Sequence, residues 1–174
     1  MKTFITFITL LLLFSCVTSG QTIIIDESIK IDSTRIEFKS NHISYDYIAY
    51  STIDNKKSDS LSVNVYSIGL GSLGLIIKFI DNIDLSLSYY SDVNEFDGKH
   101  TLDIELENYE LTINKGKLEL GDTLMGIVSG ETKEFEFMGK TCKFYFEGYF
   151  HHIIGKVLTK RYEGGKYDTY DPRH

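Results

Sequence analysis

The chain has no tryptophan, no Asn-x-Ser/Thr sequon, and only two cysteines, Cys16 and Cys142, in 174 residues. Without tryptophan it lacks a side chain well suited to stacking on sugar rings. Without a sequon, no N-linked glycan is implied. Cys16 falls in an N-terminal segment with the marks of a leader, so Cys142 is left without a partner in the same chain. An internal disulfide is thereby excluded, and stability must come from packing. There is one alanine (Ala49) and one proline (Pro172), and lysine far outnumbers arginine. That skew reports on an AT-rich coding sequence and says nothing of function.

Positive charge is also short: 18 Lys and Arg stand against 25 Asp and Glu. Taking away residues 1–20 removes Lys2 and no acid, which leaves a net charge of −8. A domain this acidic repels nucleic acid, so nucleic-acid binding is set aside.

Long apolar runs are missing except for one, Phe4 to Phe14, broken only by Thr6 and Thr9. About 11 residues suits a secretion signal, whereas a bilayer-spanning helix needs about 20. The sequence predicts a signal over residues 1–20 and one domain over 21–174, with 164–174 read as a loose tail. Two cleavage points compete. Thr18 and Gly20 fit ordinary cleavage before Gln21. Leu13-Phe14-Ser15-Cys16 instead resembles the lipobox of small bacterial lipoproteins, with a small residue before the cysteine. That resemblance covers the first 20 residues only. It implies lipid on Cys16, a membrane anchor, and a domain facing the envelope space or the exterior; the alternative is a soluble periplasmic or secreted protein.

Period-two alternation dominates the rest of the chain, with no capped 3.6-residue stripe. Around ten short strands predict an all-β fold, an antiparallel β-sandwich, with a closed barrel as the alternative. Four two-residue turns put like with like across a hairpin. Lys115-Gly116 sets Leu111 against Leu120. Gly139-Lys140 sets Phe137 against Cys142 and Glu136 against Lys143. Gly164-Gly165 sets Tyr162 against Tyr167. Asp97-Gly98 sets Tyr89 against Leu106, and also Asp92 against Asp103.

That last pair singles out a site. Facing carboxylates repel unless a cation lies between them, so Asp92, Asp97 and Asp103 are candidate ligands of a surface Ca²⁺. The spacing is not that of an EF-hand, and a plain acidic turn is the competing reading. No other cofactor is expected. Gly69 to Gly74 matches GxGxxG, but the β-branched run after it reads as a strand, so a dinucleotide site is rejected. His151 and His152 are adjacent and point to opposite faces of a strand, so they do not form a joint metal site. Cys142 falls on an inner face as a buried, inert thiol. No nucleophile elbow or Cys-His signature is present. Of the 12 tyrosines, Tyr45, Tyr47, Tyr145 and Tyr149 share parity with polar neighbours and form a candidate outward binding stripe.

The sequence therefore points to a non-enzymatic, lipid-anchored envelope protein that binds a protein or glycan partner. The alternative is a secreted hydrolase acting on envelope or extracellular polymers. A concave cleft holding two acids, or His with Asp, would favour the hydrolase, and a flat Tyr-rich sheet face with no cleft would favour binding.

Overall fold

The computed structural model describes residues 20–41, 47–57, 60–68, 71–92, 99–137, 139–155, 157–160 and 167–170. Its elements are β1 (Gln21–Ile25), β2 (Arg35–Ser40), β3 (Tyr47–Lys57), β4 (Ser60–Ser67), β5 (Gly71–Phe79), β6 (Ile83–Ser91), β7 (Thr101–Ile104), β8 (Leu106–Ile113), β9 (Thr123–Thr132), β10 (Phe135–Phe137), β11 (Lys140–Cys142), β12 (Phe144–Ile153), β13 (Val157–Lys160) and β14 (Tyr167–Tyr170). No helix occurs among the described residues, so the expected all-β class holds.

Twelve strands form one hydrogen-bonded sheet, whose main path runs in the order β1-β8-β9-β12-β2-β3-β4-β5-β6-β7. The hairpin β13–β14 is attached beside β3, and β10–β11 form a separate hairpin. Among the described residues every strand pair is antiparallel except β1–β8, which is parallel. The sheet curls into a half-barrel and folds its inner face over its own core.

Alternation decides which side chains enter that core. Leu61, Val63 and Val65 of β4 and Leu73, Leu75 and Ile77 of β5 point inward and are buried, as period two requires. β12 contributes Phe144, Phe146 and Phe150. Phe146 and Phe150 lie opposite Gly130 and Gly126 of β9. A Cβ on Gly130 would stand 2.6 Å from Phe146 Cζ and 2.6 Å from the Asn108 carbonyl oxygen. The glycines thus make room for rings to lie across the neighbouring strand, a pairing that helps fix register.

The predicted turns fare differently. β10–β11 is a two-residue hairpin, but it turns one residue early: Phe135 pairs with Cys142, and Phe137 with Lys140. Gly139 takes φ +72° there. β13–β14 pairs Lys160 with Tyr167, two residues away from the expected register; Tyr162 lies outside the described residues. β14 falls within 164–174, so part of the stretch read as a loose tail is a strand. Residues 114–122 form a loop and no Lys115-Gly116 turn, and Leu111 pairs with Val128 of β9. Asn114 donates to the Thr123 carbonyl at 2.9 Å and accepts from the Met125 amide at 2.7 Å. These bonds bridge the loop's base. Finally, β6–β7 pairs Tyr89 with Leu102 and Ser88 with Asp103. β1 is a strand that the sequence pattern does not predict.

Candidate functional site

Across the outer face, the registers of β1, β8, β9, β12 and β2 set side chains in three rows. Thr22, Glu110, Ser129, Glu147 and Glu37 form the middle one. Asn108, Glu131, Tyr145 and Lys39 lie on one side of it. Ile24, Thr112, Ile127, Tyr149 and Arg35 lie on the other. Between long neighbours, Ser129 and Gly130 leave a recess of about 600 Å³, open to solvent and rimmed by Gly20 and Thr22.

Four carboxylates and one amine line it. Glu37 is held ionised below the usual range, first by its hydrogen bond from Arg35. Glu131 is lowered by Lys143 at 3.0 Å and by Asn108, which donates at 2.7 Å. Lys39 lies 3.5 Å from Glu37 and 3.6 Å from Glu147, and its ammonium is correspondingly stabilised. Glu110 has no ion pair among the described residues. Beside the recess, Lys143 lies 5.7 Å from the Tyr145 ring centroid and Arg35 lies 5.7 Å from that of Tyr50, both within cation–π range. Arg35 also donates to the Tyr50 hydroxyl at 2.9 Å. Tyr145, Tyr149 and Ile127 are exposed on this face.

Two of the four stripe tyrosines, Tyr145 and Tyr149, therefore share the outer face as expected. Tyr47 does not: its ring packs inward, 6.3 Å from those of Tyr89 and Phe144. Tyr45 lies outside the described residues, as do Asp97 and Cys16. The expected Ca²⁺ ligands lose the juxtaposition that suggested them. Asp103 faces Ser88, not Asp92, because β7 is slid along β6 by four residues from the expected pairing. Among the described residues no group of three acids, histidines or cysteines is placed to hold a metal. Cys142 is buried, as expected. Gly71 opens a strand, with no nucleotide-binding helix following it.

Sequence reasoning missed a buried polar network. His152 is fully buried, with Nδ1 2.9 Å from Thr52 Oγ1 and Nε2 2.9 Å from Asp54 Oδ1. The Gly155 amide donates to the same Asp54 oxygen at 2.9 Å. Burial lowers the His152 pKa, and Asp54 partly opposes this. Thr52 is also fully buried, so no substrate reaches its hydroxyl; the trio ties β12 to β3. The signal available in the sequence was parity, since Thr52 and Asp54 stand two apart on one strand.

The fold and site define an all-β half-barrel with an acidic, tyrosine-edged recess on its outer face. No protein-family model, curated protein or solved structure matches the chain.

Proposed function

We propose that this is an exported cell-envelope protein, anchored through lipid on Cys16, whose β-domain is a non-enzymatic module binding a protein or glycan partner. The outer face of β2, β12, β9 and β8 is the binding surface. The observation that carries this reading is the recess with Tyr145, Tyr149 and Ile127 exposed around it. Tyrosines presented on a sheet offer large contact area at low entropic cost.

The competing hydrolase needs a carboxyl kept protonated beside an ionised one. Glu37 and Glu131 are both held ionised by their partners. Glu110 and Glu147 are exposed to solvent. The ionised Glu37 and Glu131 therefore suit the recess to a cationic group.

A lipid on Cys16 would leave five residue steps to Gln21, a reach of at most about 18 Å. The β1 end of the sheet would then stay near the bilayer surface. Mass spectrometry of the N-terminus tests the anchor: an acylglyceryl Cys16 is expected, and a free or pyroglutamyl Gln21 would overturn it. A photo-crosslinking residue at Tyr149 tests the face. Adducts are expected there and not at Ser62 on a distant strand; equal yields would refute the assignment.

A further inference from the structure

We propose that the free edge of β1 is a strand-addition site for an extended segment of a partner protein. That segment alternates apolar and basic side chains, and a basic one reaches into the acidic recess. This rests on the reading of the domain as a binding module and names the chemistry of its partner.

β1 is paired on one side only, with β8. Its other edge has no strand beside it among the described residues, and its sequence, Gln-Thr-Ile-Ile-Ile, has no charge and no proline. Natural sheets guard such edges with charge, shortness or a cover. The edge at the other end of the main strand path is guarded. β7 is four residues long and carries an exposed Asp103. The part of β6 that β7 leaves unpaired lies against Tyr109, whose hydroxyl makes a backbone hydrogen bond at Leu85.

Two features say what should add to β1. Ile25 on the inner side is 55% exposed and Ile24 on the outer side 42% exposed, so apolar side chains on an added strand gain cover at once. On the outer face, Thr22 pairs with Glu110, the recess carboxylate that has no ion pair among the described residues. A lysine or arginine opposite Thr22 would sit two strand spacings from Glu110, about 10 Å, which two extended side chains span. The chain's net charge of −7 favours a basic partner over a second copy of itself.

The test uses the exported chain without its leader and a fluorescein-labelled nine-residue peptide alternating valine and lysine. Two control peptides replace lysine by glutamate or valine by glycine. Expected are saturable binding of the Val/Lys peptide, slowed hydrogen exchange of the Ile23 and Ile25 amides, which point away from β8, and binding about tenfold weaker in both Glu110→Gln and Ile25→Pro. Glu110→Gln leaves the backbone intact, so it still decides the matter should the proline variant misfold. The proposal is overturned by no saturable binding, by equal binding of either control, by unchanged β1 exchange, or by unweakened binding to Glu110→Gln. A stable dimer through β1 that the peptide does not displace would also overturn it. Crosslinks at Tyr149 that persist when the peptide fails would sink strand addition alone and leave the binding face standing.

Discussion

Replacing His152 by leucine should destabilise the domain by about 3–4 kcal/mol. The side chain is fully buried, and leucine offers similar bulk without a hydrogen bond. Thr52 Oγ1 would lose its partner in a fully buried site, which costs about 1–3 kcal/mol. Asp54 would lose the hydrogen bond from the imidazole, and a hydrogen bond to a charged group is worth about 1.5–3 kcal/mol. That figure must be discounted, since the Asp54 side chain is 13% exposed and keeps the Gly155 amide. The total corresponds to a melting point lower by roughly 6–16 °C for a domain of this size. Acid should reveal the same network. The unfolded imidazole takes a proton near pH 6.5, whereas burial lowers the folded pKa below that. Between those values the unfolded state binds more protons, so stability is present above about pH 6.5 and is lost as pH falls toward the folded value. His151 is lowered by burial too, so the leucine variant should keep a shallower slope between pH 7 and 5. Thermal melts across that range read both effects. A melting point within about 2 °C of wild type, with the pH slope unchanged, would refute the reasoning.

Gly130→Ala should cost about 1–3 kcal/mol in urea unfolding, because its Cβ meets the Phe146 ring and the Asn108 carbonyl; a neutral result would mean the ring can move aside. Cys142 should resist a maleimide in the native state and react on unfolding; labelling at equal rates would contradict its burial. Adding Ca²⁺ or EDTA should leave the melting point unmoved, since Asp103 faces Ser88; a rise with Ca²⁺ would restore the acidic turn as a cation site.

Faces were legible in the sequence, and sliding positions were not. The expected hairpins at Gly139-Lys140, Gly164-Gly165 and Asp97-Gly98 differ from the observed ones by even shifts. An even slide keeps every side chain on its face, so hydrophobic alternation cannot detect it; only an odd slip is penalised. That is why alternation places Leu85 and Leu87 inward yet matches Asp92 to the wrong partner. The Lys115-Gly116 turn failed for another reason. Asn114 spans the base of the longer loop, and Lys115 meets Asp122 at 2.7 Å, contacts between residues that pattern alone treats as solvent-facing. The recess was out of reach because it depends on strand order: Glu37 and Glu147 are neighbours only because β2 adds beside β12. Tyr145 and Tyr149 were legible by parity alone. Tyr47 was misplaced because aromatic residues suit either side of a sheet, and the inward cluster that claims it comes from β6 and β12.

β12 lies between β9 and β2 in the middle of the sheet, yet it is one of the last strands in the chain. Phe38 must wait for Phe146 before its strand gains that neighbour. A chain that emerges from its N-terminal end can therefore close the β3–β6 meander early but cannot join its two halves until residues beyond 144 are free. Such late, long-range pairing slows folding. It makes the stretch from Phe144 onward the part that commits the molecule to its shape.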